Sequence, residues 1–247
     1  MIELIGKLID GKHLRDEELV EKLNEIYEKE PFKKLVSTMQ AVKDFDVKDL
    51  KPKKAYIFDA AFGNEKNLHF FSSSIIQLVN GNESLSILFN ELPNVQDHAF
   101  GQILKSDSNA IQQYLYSEEE ITISEFQTEL KQLAYHDDTN EELPDNPDYQ
   151  AGNFTRDIEP QGWFDGCLPG GYQHCGGDCG YGSKYGGGRS INATDTCCIS
   201  HDNCWGSFGR WDACCDKKLV LCVAGHPTVA ATGIRNVFGP SALRCLS

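Results

Sequence analysis

The segment over residues 195–204 combines a histidine, a neighbouring aspartate and three cysteines within about three helical turns. The histidine, His201, can accept a proton near neutral pH, because the ordinary pKa of an imidazole lies at about 6.5. The adjacent carboxylate, Asp202, is the type of ligand that a hard cation such as calcium prefers. These residues predict a site in which a general base acts beside a bound cation.

Two helices, over residues 194–207 and 212–223, would carry this segment and the cysteines that follow it. If the helices are antiparallel, the residue numbers of opposed positions have a constant sum. Two cysteine pairs share one such sum: Cys197 with Cys222, and Cys204 with Cys215. The two pairs are separated along each helix by about 10 Å. The spacing therefore predicts two disulfides that join the helices.

The same register places Asp216 within about half a turn of His201 across the helix pair. A carboxylate behind an imidazole can bind one ring nitrogen and leave the other nitrogen free to accept a proton. The spacing thus predicts that His201 and Asp216 form a catalytic pair.

A glycine-rich stretch, residues 175–182, precedes the first of these helices. Glycine permits positive φ angles and close approach of the backbone, so such a loop can turn several carbonyl oxygens toward one cation. With the carboxylate of Asp202, these oxygens would form an all-oxygen calcium site. Taken alone, a glycine run is more typical of an ordinary turn.

Three motifs in this region resemble those of the secreted phospholipase A2 family. They are Cys179-Gly180-Tyr181-Gly182, then Asp195-Thr196-Cys197-Cys198-Ile199-Ser200-His201-Asp202-Asn203-Cys204, and finally Cys215-Asp216 with Cys222. The resemblance implies a disulfide-stapled, antiparallel two-helix domain, closest in layout to short plant and microbial members. It also implies calcium-dependent hydrolysis of the sn-2 ester of glycerophospholipids at a membrane surface, releasing a fatty acid and a lysophospholipid.

The resemblance implies a role for each site residue. His201 would activate the attacking water, and Asp216 would orient His201. Asp202 would bind calcium together with main-chain oxygens of the loop. Those oxygens would belong to Asp178, Gly180 and Gly182. The amide of Gly180 would hold the oxyanion, and calcium would stabilise charge that develops only in the transition state.

The family's disulfides would correspond here to Cys179–Cys198, Cys197–Cys222 and Cys204–Cys215. The last two are the pairs that the helix register also selects. Four cysteines are left, and three pairings among them are open: Cys167, Cys175, Cys214 and Cys245. Two residues depart from the family pattern, because Asp178 and Trp205 stand where tyrosines are usual.

Other chemistry is compatible with parts of the pattern. A cysteine–histidine cluster can bind zinc, but the adjacent cysteine pairs lack the usual two-residue gap. The acidic residues 137–148 could suggest a calcium loop, but the glycine expected midway is missing and two prolines intrude. The alternative to catalysis is a binding or signalling module that keeps the disulfide frame.

Composition divides the chain into two parts. All ten cysteines follow residue 166, whereas residues 1–150 hold 29 of the 37 acidic residues and 15 of the 23 basic ones. We therefore expect an acidic, cysteine-free domain over residues 1–136, a linker over 137–162 and a phospholipase A2-like catalytic domain over 163–247. The acidity argues against a nucleic-acid partner.

The density of cysteines is typical of disulfide scaffolds in oxidising compartments, which predicts a secreted, extracellular protein. The first residues show no basic stretch followed by an apolar one, so no signal peptide is visible. No apolar run approaches the length of a membrane span.

Apolar spacing in the N-terminal part favours helices over residues 14–27 and around 35–42, and a strand over 55–61. Residues 68–79 fit either a strand or a helix. Two further helices are expected, over residues 109–116 and 124–135. The N-terminal domain is thus expected to be mixed α/β or helical, and the whole protein α+β.

The N-terminal domain could be a pro-segment that covers the site, an inhibitor or a domain that binds a protein partner. The linker is acidic and interrupted by prolines, as expected of a flexible, protease-sensitive connector. Activation by cleavage within the linker is therefore expected.

Several apolar residues could form a rim that meets a phospholipid surface, where aromatic side chains are favoured. They are Trp163, Phe164, Leu168, Phe208 and Trp211. Ordinary core packing explains the same residues equally well.

Overall fold

The computed structural model describes residues 5–64, 67–93, 96–133, 143–153, 166–168 and 170–245 of the 247-residue chain. The first part contains β1 (Ile5–His13), α1 (Asp16–Glu28), α2 (Glu30–Gln40), β2 (Lys51–Asn64), β3 (Asn67–Val79), β4 (Leu85–Glu91), β5 (His98–Lys105), β6 (Ala110–Ser117) and β7 (Glu120–Gln127). The second part contains β8 (Gly166–Cys167), β9 (Gly176–Gly177), α3 (Ala193–Phe208), α4 (Ala213–Cys222) and α5 (Val229–Ala242). The protein is therefore α+β.

Strands β1 to β7 form one antiparallel sheet in which each strand pairs with its neighbours in the sequence. From β2 onward this meander needs no helical connections, because antiparallel neighbours can be joined by turns, whereas α1 and α2 lie between β1 and β2. At the β3–β4 turn, the side chain of Asn80 accepts hydrogen bonds from the backbone amides of Ser84 and Leu85, both at 2.9 Å. At the β6–β7 turn, Glu118 and Glu119 adopt positive φ angles.

Helices α1 and α2 cover one face of the sheet. In α2, the apolar residues Phe32, Leu35 and Met39 recur at helical spacing and are buried in a cluster with sheet residues. Gly101 of β5 permits this close contact, because a Cβ atom there would collide with the sulfur of Met39. Both N-terminal helices that the apolar spacing predicts are confirmed.

The cysteine-rich part covers the opposite face of the sheet. Tyr56, Phe58 and Phe100 of the sheet share one buried cluster with Leu219 of α4 and Ile234 of α5. Successive strand residues point to opposite faces, so a sheet covered on both sides must be apolar at consecutive positions. Strand β4 shows this at Ile87, Leu88 and Phe89, which are consecutive, apolar and buried.

The prediction of helices over residues 109–116 and 124–135 is wrong. The first segment forms β6, and the second is divided between β7 and the irregular residues up to 133. In β6, Tyr114 and Tyr116 point into the cluster on the α2 face, whereas Leu115 packs on the opposite one. This alternation has the period of a strand, but burial on both faces hides it in the sequence. The strand expected over residues 55–61 lies within β2, and residues 68–79 belong to β3.

Residues 143–153, in the expected linker, pack on the sheet. The Tyr56 hydroxyl donates to the Pro144 carbonyl at 2.8 Å, and Asn146 donates to Asp10 at 2.6 Å. The Tyr149 hydroxyl donates to the buried carboxylate of Asp59 at 2.8 Å. This segment is therefore held against the sheet, rather than free as we expected for a flexible connector. The other residues of the expected linker lie outside the described part of the chain.

Five disulfides hold the second part together: Cys167–Cys179, Cys175–Cys198, Cys197–Cys222, Cys204–Cys215 and Cys214–Cys245. The two bridges that the helix register selects are present, and they join α3 to α4 in antiparallel order. The Cys179–Cys198 bridge implied by the resemblance is wrong, because Cys198 pairs with Cys175.

The carboxylate of Asp195 explains this exchange of partners. It accepts hydrogen bonds from the backbone amides of Gln173, His174 and Cys175, at 2.8–3.2 Å. These bonds bring Cys175 to the first turns of α3, where Cys198 lies. Cys179 follows β9 and instead reaches Cys167 at the end of β8, with which β9 pairs.

Within the described residues, no helix is both long enough and apolar enough to cross a membrane.

Candidate functional site

Helices α3 and α4 bring His201 and Asp216 into direct contact. The Nε2 atom of His201 lies 2.9 Å from Oδ1 of Asp216, and both side chains are buried. The carboxylate can only accept, so Nε2 carries the proton and Nδ1 is left as the basic nitrogen. Cys204 and Cys215, which immediately precedes Asp216, link the two helices at the same level. The structure thus brings together the pair that the helix register predicts.

Trp205 completes the support of this pair. Its indole Nε1 donates to Oδ1 of Asp216 at 3.2 Å, and its ring lies 4.3 Å from that of His201. The tryptophan therefore supplies a hydrogen bond at the position where the family usually has a tyrosine. Phe238 of α5 packs edge-on against His201 at 5.1 Å. The imidazole is held between two aromatic rings.

A cavity of about 370 Å³ opens beside the pair. His201, Asp202 and Trp205 line it from α3, Phe238 from α5, and Asp178 from the glycine-rich loop. Gly180 and Gly182, which the resemblance implies as calcium ligands, are not among its lining residues. The loop therefore faces the cavity mainly through residues that precede Gly180.

Two of the three loop oxygens implied as calcium ligands already accept hydrogen bonds within the loop. The carbonyl of Asp178 accepts from the Tyr185 amide at 3.0 Å, and the carbonyl of Gly180 accepts from the Ser183 amide at 3.2 Å. Each carbonyl oxygen has a second lone pair, so these bonds do not prevent coordination of a cation.

The amide of Gly180 is in a different situation, because it donates to the Tyr185 carbonyl at 2.9 Å. An N–H group has one proton to donate. In this conformation Gly180 therefore does not offer its amide to an oxyanion, which corrects the role implied by the resemblance.

Asp202 lies next to this loop. A Cβ atom placed on Gly180 would lie 3.3 Å from Oδ2 of Asp202, so the carboxylate faces the Gly180 backbone at a place where only glycine leaves space. Desolvation is the largest influence on this carboxyl and raises its pKa to about 6, while the charges of His201, His174 and Arg210 act in the opposite direction. Asp202 is nevertheless exposed to solvent on its outer side, so a cation can reach the carboxylate and favour its charged form.

The donor chemistry fits calcium in kind. Among the described residues, no group of three or more His, Cys, Asp and Glu side chains is arranged to hold a metal ion. A cation would have to be bound by the single carboxylate of Asp202 and neutral main-chain oxygens of residues 174–182. Such oxygen-only ligation suits calcium and does not suit zinc.

Sequence patterns assigned no role to His174, yet its buried side chain lines the cavity. Its Nε2 donates to the Gly188 carbonyl at 2.8 Å, and its ring lies 4.7 Å from that of Tyr181. The sequence placed His174 directly before Cys175, but this was informative only once Cys175 was known to pair with Cys198 on α3. Phe238 carried no such signal, because α5 has no recognisable motif.

The expected lipid-facing rim is only partly tested by the described residues. Phe208 and Trp211 are exposed, as is Tyr181, which is 72% accessible. Leu168 is buried and lines the cavity. Trp163 and Phe164 lie outside the described part of the chain. Tyr181 and Trp211 are thus exposed aromatic residues that line the cavity, and Phe208 is exposed at the end of α3.

Comparison with protein-family models found no match, and no solved structure matched. Among curated proteins, an acidic phospholipase A2 of Bitis gabonica is 30% identical over an alignment of 100 residues. The match covers 30% of this chain and 80% of that protein. The similarity spans most of the relative and leaves the larger share of this chain unmatched. On this relationship, the chain belongs to the phospholipase A2 family.

Proposed function

We propose that the protein is a calcium-dependent phospholipase A2 that hydrolyses the sn-2 ester of glycerophospholipids. The observation that carries the proposal is the buried hydrogen bond between His201 Nε2 and Asp216 Oδ1, at 2.9 Å, beside a cavity lined by Asp202. It leaves Nδ1 as a base in a cavity of a size suited to a small molecule or part of a lipid.

In this mechanism, Nδ1 of His201 takes a proton from water as the water oxygen attacks the ester carbonyl carbon. Asp216 stabilises the imidazolium that forms and holds the ring in the required tautomer. The imidazolium then returns the proton to the departing alkoxide, which yields a fatty acid and a lysophospholipid. Trp205 and Phe238 limit the motion of the ring during both transfers.

Asp202 and loop carbonyls would hold the calcium ion. When bound, calcium supplies Lewis-acid stabilisation of the developing charge and binds the lipid phosphate. The chain's own residues orient the ring and carry the proton.

The substrate surface would be a phospholipid membrane that the protein meets from outside. Tyr181 and Trp211 line the cavity and are exposed, Phe208 is exposed at the end of α3, and aromatic side chains favour the interfacial zone of a bilayer. The five disulfides and the family relationship support a secreted, extracellular protein.

The test uses the full chain and vesicles that carry a label on the sn-2 acyl group. Release of the labelled fatty acid is expected with calcium and not with an excess of chelator. The His201→Gln variant should retain the five disulfides and lose turnover by a factor of about a thousand or more. If the wild-type chain releases no labelled fatty acid in calcium, the catalytic proposal is wrong.

A second candidate is a binding module of the same family without turnover. The observation that favours it is the Gly180 amide, which donates to Tyr185 and is not directed at a reacting oxygen. Calcium binding and vesicle binding without release of fatty acid would support this candidate over the enzyme.

A further inference from the structure

The seven-stranded sheet does not cover the cavity. Every cavity-lining residue in the described part of the chain lies between Leu168 and Phe238, and none comes from β1–β7. The sheet instead contacts the connection between α4 and α5. This connection, residues 223–228, is called the α4–α5 corner below.

Three sheet residues hold the α4–α5 corner. His98 of β5 donates from Nε2 to the Ala224 carbonyl at 2.6 Å, and Lys54 of β2 donates to the Pro227 carbonyl at 2.7 Å. A Cβ atom on Gly225 would lie 2.7 Å from the ring of Phe100, so the corner backbone lies directly on that ring. The contacts therefore combine hydrogen bonds with close packing.

Arg235 of α5 extends these contacts into the interior. Its buried guanidinium donates from Nη1 to the Val223 carbonyl at 2.5 Å and from Nη2 to Oδ1 of Asn90 at 2.6 Å. Asn90, on β4, is completely buried and donates in turn to the Ser74 carbonyl at 3.1 Å. Burial lowers the pKa of Arg235 to about 9, so the group is still charged at neutral pH.

The position of Arg235 also suits its charge. Val223 is the C-cap of α4, where helical carbonyls carry partial negative charge. A buried cation at this end is stabilised by that charge and by the neutral oxygen of Asn90. Removing Asn90 would take away the shorter of the two hydrogen bonds of Nη2 and leave only the one to the Thr232 hydroxyl at 3.2 Å, so the buried guanidinium would shift away from the sheet.

Both elements that meet at Arg235 support the catalytic pair. Helix α4 carries Asp216 in its first turn and ends at the corner. Helix α5 carries Phe238, one turn beyond Arg235, against the His201 ring. A shift of the corner would therefore move the carboxylate and the aromatic wall on two sides of the imidazole.

We propose that Asn90 and Arg235 are positioning residues for the His201–Asp216 pair, and that the N-terminal sheet is a platform for the site. The proposal rests on the proposed function, in which this pair is catalytic. It assigns the N-terminal domain a permanent role, unlike that of a segment removed to uncover the cavity.

The test compares Asn90→Leu with the wild-type full chain in two measurements. The first is hydrolysis of sn-2-labelled vesicles, in which kcat should fall about tenfold or more with KM changed less than twofold, since Asn90 touches no lipid. The second is the rate at which iodoacetamide alkylates His201, read by mass spectrometry of the peptide. All ten cysteines are paired, so free thiols do not compete for the reagent. The alkylation rate of His201 should fall together with kcat.

Two further variants separate positioning from stability. Asn90→Asp keeps an acceptor oxygen for Arg235 and should restore most of both rates. Ser72→Ala removes the 2.6 Å hydrogen bond to Asp59 elsewhere in the sheet. It should lower Tm and leave both rates near those of the wild type. If Asn90→Leu does not fold, Lys54→Met, which removes the bond to Pro227, should show a smaller drop in both rates.

The proposal is overturned if Asn90→Leu loses Tm like Ser72→Ala but keeps the wild-type kcat and the wild-type alkylation rate. If the wild-type chain hydrolyses no lipid, the proposed function fails by itself. The alkylation rates of the same variants then still show whether the sheet positions His201.

Discussion

Trp205 and His201 share one oxygen of a single carboxylate. Oδ1 of Asp216 accepts from the imidazole at 2.9 Å and from the indole at 3.2 Å, whereas its buried Oδ2 has no hydrogen-bond partner among the described residues. The position of Asp216 therefore depends strongly on the two donors at Oδ1. Both donors lie on α3, so that helix carries His201 and also holds the Asp216 carboxylate in place.

The Trp205→Phe variant should show the value of the second donor. Phenylalanine keeps an aromatic ring beside His201 but removes the indole N–H. We expect a loss of about 1.5–3 kcal/mol in the free energy of unfolding, because a hydrogen bond to a buried charged group is removed. Hydrolysis should fall about tenfold. Urea denaturation and initial rates on labelled vesicles measure the two effects.

Trp211→Phe is the matched control, because Trp211 packs on Trp205 at 5.1 Å and is 43% exposed. It should change the free energy of unfolding by less than about 1 kcal/mol. Equal losses in the two variants would contradict the role given to the indole N–H.

Asp202→Asn should remove the effect of calcium on stability. A ligand present at a hundred times its dissociation constant stabilises the folded state by about 2.7 kcal/mol. The wild-type protein should therefore show a higher Tm in calcium than in chelator, and the variant should not. Differential scanning calorimetry without lipid measures this independently of turnover.

Asp178→Asn provides the comparison for Asp202, because only the main-chain oxygen of Asp178 is expected to bind the cation. This variant should keep the calcium-dependent rise in Tm. A calcium effect that survives in Asp202→Asn but is lost in Asp178→Asn would show that the ligand assignment is wrong.

His98 should make stability depend on pH. Its burial, together with the positive charge of Arg235, lowers its pKa well below 6.5 in the folded state. Below about pH 6.5 the unfolded chain takes up a proton that the folded protein rejects. The free energy of unfolding should then decline by up to about 1.4 kcal/mol per pH unit as the pH falls. Above pH 6.5 this contribution is fully present and constant.

Urea denaturation at pH 7, 6 and 5 checks the prediction for His98. The His98→Gln variant, which can still donate to the Ala224 carbonyl, should lose less stability than the wild type between pH 7 and pH 5. Parallel curves for the two proteins would mean that His98 does not account for the pH dependence.

Local sequence geometry was enough to predict the contact between His201 and Asp216 and two of the disulfides. Helical spacing is regular, so Cys197, Cys204, Cys215 and Cys222 could be aligned, and Asp216 followed in the same register. These predictions needed only local geometry within one pair of helices. Helices α1 and α2 could also be predicted, because the apolar residues of each recur at helical spacing and form one face.

Other features could be seen only in the tertiary structure, because they depend on contacts between segments that are distant in the sequence. Strand β6 is largely buried on both faces and the edge strand β7 is exposed at seven of its eight positions, so neither shows the clear alternation that marks a half-exposed strand. The pairing of Cys198 with Cys175 depends on the hydrogen bonds that Asp195 makes to a distant loop. The contact of Asn90 with Arg235 joins residues 145 positions apart. Such contacts leave no periodic trace in the sequence, because they are set by the packing of whole elements.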